Sequence, residues 1–513
     1  MVDVAAVLGL FALAMASGCG VPEGISLQQP GLAQRVPVVR HTLPNGMTFL
    51  FVRRAGSPTV SFVTNFRVGA VDENADVSGL AHLFEHMFFK GTTTIGTTDY
   101  ASESRFFPRI DATADSLILL SRHGPPDDSQ AVTRLRNRLK QLQDSARRFV
   151  VQDEFRRILT RHGARQPNAS TIHDLTNYFY SLPANRAQLW FILESDRLAH
   201  PVFREFYTER DVVLEERRLR VEGEPGNLLY QAFLHAAFKV HPYGRPVVGW
   251  RSTLERLKTS DAVAFGKRFY QPNNAVVAAV GDINVDSMRA WADRYFAGIP
   301  PGDHPRSPVM IVEPRQEEER RVAVEADANP EILIGFHVPN HLDADTPALW
   351  VLSQLLTGGR TSRLYQRLVI EEGAALSVRS TLAPGALYPR LLAIRARPMA
   401  PHSTQDVEAF VYDELEKLAR SAPATAELLG ARNRLEASLL DDMGSNAGFA
   451  AALSASEALW NDWQQAFRDY ETLGSVIPED IQRVVKKYLH SDNRTVAIIV
   501  RSGVSSSGDS PHN

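Results

Sequence analysis

Residues 79–91 read Gly-Leu-Ala-His-Leu-Phe-Glu-His-Met-Phe-Phe-Lys-Gly. Nothing between Leu80 and Lys90 breaks a helix, and apolar residues fill most positions, so the stretch predicts a buried helix. His82 and His86 are four apart, and Glu85 lies three beyond His82, so all three share one helical face. Two imidazoles at that spacing can close on one tetrahedral zinc ion and leave room for a third ligand and a water. Glu85, beside that water, is the candidate base. Buried on an otherwise apolar helix, these three polar groups are costly unless a charge partner joins them.

The third ligand must come from elsewhere. The chain has one cysteine, Cys19, so a thiolate cage is excluded and any zinc is held by His and carboxylate. Glu209-Arg210-Asp211-Val212-Val213-Leu214-Glu215-Glu216 offers several carboxylates on one predicted helix, running from Thr208, a candidate N-cap, to Val221. Glu209 and Glu216 are two turns apart on one face. One of them can bind the metal while the other, a layer back, orients a ligand histidine. Glu215 falls off that face and is expected in solvent.

At 513 residues, two domains are expected. A net charge of −3 with 22% charged residues argues against a nucleic-acid surface. Val4 to Ala16 is an uncharged apolar run too short to span a bilayer, and it closes on Ala16-Ser17-Gly18-Cys19. Residues 1–19 therefore resemble an export signal of bacterial lipoprotein type, with Cys19 as the lipid-bearing residue. Residues 20–37 form a tether.

The Asn45-Gly46 pair predicts a hairpin turn. Met47–Val52 and Val60–Val68 read as strands that lead into the metal helix, an α+β opening. Residues 106–150 read as an inserted helical hairpin: Ile110, Leu117 and Leu120, then Val132, Leu135, Leu139 and Leu142, recur at three- and four-residue steps around a turn at Gly124-Pro125-Pro126. Its outer arginines and lysine, from Arg134 to Arg148, read as a solvated face. Asn168 to Tyr180 reads as a strand segment, Leu189–Leu198 as a helix and Ala275–Val280 as a buried strand.

Residues 298–316 are Pro-rich and mark a linker between a first domain (38–297) and a second (317–501), with a polar tail at 502–513. Phe269-Tyr270-x-x-Asn273-Asn274 followed by Val276–Val280 is echoed by Tyr488-Leu489-x-x-Asp492-Asn493 followed by Val496–Val500. The echo suggests duplicated domains.

These stretches together resemble the pitrilysin, insulinase and mitochondrial processing peptidase family of zinc endopeptidases. Residues 79–92 match the family's metal helix, with its inverted H-x-x-E-H order. Asn-Ala-Ser-Thr (168–171) matches its substrate-edge strand, and residues 209–216 its distal glutamate helix. His-Pro-Tyr-Gly (241–244) and residues 269–274 match a following loop and the end of its first domain.

The resemblance implies two similar α+β domains, each a mainly antiparallel sheet covered by helices, enclosing a chamber. It implies one zinc per chain on His82, His86 and Glu216, with Glu85 as base and Glu209 behind the ligands. It also implies a peptide substrate paired along Asn168 and Ala169. A non-catalytic assembly subunit of the same fold is the alternative.

Two features depart from the family. Glu216 lies 130 residues beyond His86, and the inserted hairpin accounts for the surplus. The family's second domain carries an Arg and a Tyr that hold the substrate carbonyl, and the matching positions here are Val369 and Leu376. That implies a dimer: a heterodimer with a related subunit supplying Arg and Tyr, or a homodimer using Arg363 or Tyr365.

Overall fold

The computed structural model describes residues 32–123, 130–303 and 306–501. The export signal with Cys19, most of the tether, the Gly124–Pro126 turn and the tail lie outside the described residues. No described helix is long and apolar enough to cross a membrane.

The first sheet is built from β1 (Val39–Thr42), β2 (Thr48–Arg53), β3 (Thr59–Phe66), β4 (Arg165–Thr171), β5 (Thr176–Pro183) and β6 (Ala275–Gly281). Their order is β1-β2-β6-β3-β5-β4, with β2–β6 the one parallel pair. β1 and β2 are joined through Asn45-Gly46, where Gly46 adopts φ +85°, as the turn requires. Asn168 to Tyr180 is not one strand but two, β4 and β5, turned back on each other at Ile172–Leu175. The turn is pinned where the carbonyls of Ile172 and His173 accept from the amides of Ala70 and Val71.

The helices used below are α1 (Leu80–Met87), α2 (Phe107–His123), α3 (Gln130–Arg147), α4 (Ala187–Ala199), α5 (Phe206–Arg217), α6 (Pro225–Ala237), α7 (Thr346–Thr357) and α8 (Asn446–Trp460). Helices α2 and α3 form the inserted hairpin, burying Val132, Leu142 and Ala146 while Arg134, Arg136, Arg138 and Lys140 face out. α5 starts earlier than expected, its N-cap being Glu205 rather than Thr208.

The second sheet contains β7 (Arg320–Ala326), β8 (Ile332–Val338), β9 (Ala375–Ala383), β10 (Arg390–Pro398) and β11 (Arg494–Arg501), in the order β7-β11-β8-β10-β9. It repeats the first sheet without β1: β11 lies between a parallel β7 and an antiparallel β8, as β6 lies between β2 and β3. The sequence echo is therefore a repeat of topology. The helix after the equivalent strand differs in chemistry: α7 reads Thr-Pro-Ala-Leu-Trp-Val-Leu-Ser-Gln-Leu-Leu-Thr and holds no His or Glu.

The two halves exchange helices. From the second half, α8 lays Phe449, Ala450 and Leu453 on the β2, β3 and β6 residues Leu50, Val63 and Val276. From the first half, α6 lays Leu229, Phe233 and Leu234 on Leu333, Leu391 and Ala497 of the second sheet. The remaining face of the first sheet carries an aromatic core, in which Phe62 stacks on Trp190 at 4.8 Å, and α1 is seated against that core through Leu83 and Phe84.

Candidate active site

Helix α1 is two turns long and would be marginal alone, so its ends show what holds it. It starts after Gly79, at φ +94°, where a Cβ would meet the Val248 carbonyl at 2.6 Å. Its N-terminus is capped from a distance: the amides of Gly79 and Ala81 donate to the two oxygens of Glu73 at 2.9 and 2.7 Å. Burial pushes the Glu73 carboxyl up to about 8 against the pull of those two amides. Beyond the far end, the buried Arg204 donates to the carbonyls of Lys90, Thr92 and Ile95 and to Glu103 at the root of the inserted hairpin. Leu80, Leu83, Phe84 and Met87 are buried, which fixes which face His82, Glu85 and His86 present.

Helix α5 brings up the third ligand. Glu216 Oε2 lies 3.3 Å from His86 Nε2, and Oε1 lies 3.8 Å from His82 Nε2, with the two rings 4.8 Å apart. Three ligand atoms, one from each residue, lie within 4.8 Å of one another. Tetrahedral ligands at zinc distances stand roughly 3.3 Å apart, so these groups fit a zinc ion with small adjustment. At 3.8 Å the His82–Glu216 approach is too long for a hydrogen bond, yet it suits two atoms sharing a cation.

The electrostatics agree. Burial, then the neighbouring His86, push His82 down to about 4. Burial also opposes charge on His86, but Glu209 and Glu216 outweigh it and hold the ring up at about 9. Glu216 is held below the usual carboxylate range, first by His86. The pocket is built around one positive centre between two rings and a carboxylate. A cation there keeps both rings neutral.

Behind the ligands, Glu209 Oε1 is 3.0 Å from His86 Nδ1, the contact that fixes the tautomer of a metal-binding imidazole. Burial alone would raise Glu209, but His86 and Lys90 outweigh it and bring it to about 2. Glu85 is buried beside the ligands and accepts from Thr171 Oγ1 at 2.6 Å; burial raises its carboxyl despite that bond. A raised, oriented carboxylate suits a group that must both take and return a proton. A cavity of about 300 Å³ opens on this side, lined by His82, Thr171, Glu216 and Tyr230.

Asn168 and Ala169 lie on β4, whose outer edge is unpaired in the first sheet. Thr171, on the same strand, ties that edge to Glu85. Glu215 faces solvent and pairs with Arg218. In the second half, Leu376 is 60% exposed on the edge strand β9 and Val369 is partly buried. Arg363 is engaged by both oxygens of Glu427. Glu73, Lys90, Thr171 and Arg220, whose guanidinium meets Glu216 Oε1 at 2.6 Å, escaped the sequence reading. Lys90 and Thr171 lie inside quoted stretches, residues 79–91 and 168–171, but were given no role there.

Known proteins match along most of the chain. Residues 49–105 match a family described as insulinase (peptidase family M16), and residues 256–435 match the peptidase M16 inactive domain, in line with the ligand-free α7. The zinc protease PqqE of Helicobacter pylori is 26% identical over 89% of this chain and 91% of its own length. A zinc protease of Mycobacterium tuberculosis is 26% identical over 88% and 90%. Among solved structures, a protease from Helicobacter pylori superposes with a TM-score of 0.76 at 23% identity, covering 91% of this chain and all of that one. The periplasmic protease PqqL of Escherichia coli gives 0.67 at 17%, over 92% of this chain and 48% of that one. With the ligand triplet assembled on an inverted His82-x-x-Glu85-His86 helix in a repeated two-sheet fold, the chain belongs to the insulinase (M16) family of zinc metallopeptidases.

Proposed function

We propose that this protein is a zinc-dependent endopeptidase that cuts peptides or unfolded polypeptide segments. The observation that carries the reading is the convergence of His82, His86 and Glu216 beside the buried carboxylate of Glu85. Zinc held by those three residues supplies a Lewis acid that acidifies a water and polarises a carbonyl. Glu85, oriented by Thr171, accepts the water proton and returns it to the leaving amine. Glu209 keeps His86 in its ligating tautomer. The free edge of β4 at Asn168 and Ala169 binds the substrate main chain as an added strand, which favours extended substrates over folded ones.

The functional division runs between residues 38–297, which carry the chemistry, and residues 317–501, which complete the fold. Val369 and Leu376 leave the two matched positions without a donor for the substrate carbonyl, and Arg363 is engaged by Glu427, so a dimer partner, a related subunit with Arg and Tyr, supplies it. The apolar run ending at Cys19, and the periplasmic setting named for the PqqL protein, support export to the cell envelope with a lipid anchor at Cys19.

The test is Glu85→Gln with metal analysis. Zinc is retained at one per chain while peptide cleavage falls about 10²- to 10⁴-fold. Wild-type turnover in that variant rejects the base assignment. A related subunit that leaves activity unchanged rejects the division of labour.

A further inference from the structure

Helix α5, which bears Glu209 and Glu216, begins on a residue in an unfavourable conformation. Its N-cap Glu205 sits at φ +57°, a left-handed state disfavoured for a residue other than glycine. Such strain persists where surrounding contacts over-determine it. Those contacts are on the side chain. Glu205 Oε1 accepts from Gln152 Nε2 at 3.2 Å and lies 3.5 Å from Arg147 Nε, at the end of inserted helix α3. Glu205 Oε2 lies 3.5 Å from Lys90 Nζ.

Lys90 carries the connection onward. Its Nζ is 2.5 Å from Glu209 Oε2, and the other oxygen of Glu209 faces His86 Nδ1. The three side chains are largely withdrawn from water, Lys90 at 22% exposure and each glutamate at 13%, so their attraction is screened less than that of a surface pair.

We infer that Lys90 and Glu205 are positioning residues for the zinc ligand His86, and that the inserted hairpin braces them through Arg147. With Lys90 holding one oxygen, Glu209 has a single orientation, and that orientation meets His86. Without the ammonium, Glu205 and Glu209 are two anions in one partly dry pocket, and Glu209 turns away from it. That change loosens the imidazole. The insertion then contributes to metal retention although it supplies no ligand. This inference rests on His82, His86 and Glu216 holding zinc.

The experiment measures the zinc dissociation constant of the full chain by competition with a chromophoric chelator, with circular dichroism as the folding control. Removal of a partner behind a ligand weakens metal binding about 10- to 100-fold, so Lys90→Met should weaken zinc by about tenfold and Lys90→Arg should restore most of it. Glu205→Gly relieves the backbone strain while deleting the carboxylate. It should fold at least as stably as wild type and still bind zinc several-fold more weakly. Should Lys90→Met not fold, Glu205→Gly decides the question alone. Folded Lys90→Met and Glu205→Gly proteins with wild-type zinc affinity overturn the brace, as does a Lys90→Arg variant no better than Lys90→Met. A wild-type chain that takes up no zinc overturns the metal reading itself.

Discussion

Arg204→Met should loosen the far end of the metal helix. Arg204 is 1% exposed, and its guanidinium meets Glu103, itself fully buried, and three carbonyls in the loop from Lys90 to Ile95. Gly91 and Gly96 make room for it: a Cβ on either would lie under 3 Å from its Nη1. Breaking a buried pair by removing one partner costs about 3–5 kcal/mol, because the other charge stays behind. Each carbonyl deprived of its donor adds about 1–3 kcal/mol, less where water reaches it. The shorter Met leaves space for water, so we expect a total near the lower bound, about 6 kcal/mol.

Removing both charges with Glu103→Leu and Arg204→Met should recover roughly 2–3 kcal/mol, leaving mainly the carbonyl term. Urea unfolding gives the stability, and hydrogen exchange at the amides of residues 88–96 localises the loss. A cost under about 1 kcal/mol for Arg204→Met, or a double variant as unstable as the sum of the single ones, refutes the buried-charge reasoning.

Thr171→Val removes the 2.6 Å bond to Glu85 and should lower kcat about tenfold with little change in KM, read by steady-state peptide cleavage. Metal removal with a strong chelator should abolish cleavage, and one equivalent of zinc should restore it. Asp345 joins Arg483, Lys487 and Tyr488, and these hold it down at about 2 although burial alone would raise it. A depressed carboxylate contributes stability that is present above its unfolded value near 3.8 and lost as pH falls towards about 2. Because Arg483 and Lys487 are about half exposed, Asp345→Asn should cost only about 1 kcal/mol at pH 7 and flatten acid denaturation below pH 4.

The parts of this site that could be read from sequence are those fixed by local geometry. His82 and His86 share a face by helical spacing, and Glu209 and Glu216 do so two turns apart on another helix. The repeat of Phe269–Val280 at Tyr488–Val500 reported a repeated topology because both segments end in the same buried strand. What escaped depends on contacts across the chain. Thr171 reaches Glu85 across 86 positions and Glu73 caps a helix it does not adjoin, so neither carries a pattern of its own. Asn168 to Tyr180 read as one strand because the stretch is rich in β-branched and aromatic residues, and the turn at Ile172–Leu175 holds no Gly or Pro to mark it. Thr208 resembled a cap by composition, but the side-chain contacts of Glu205 set where α5 begins.

The crossed placement of α6 and α8 bears on how a substrate enters. Swinging the two sheets apart within one molecule would drag Phe233 off the second and Phe449 off the first, at about 1.5–3 kcal/mol for each large side chain exposed. Bolted together in this way, the described parts of the two halves resist swinging about the linker. In the proposed dimer, the gape that admits a polypeptide would then open between one molecule and its neighbour.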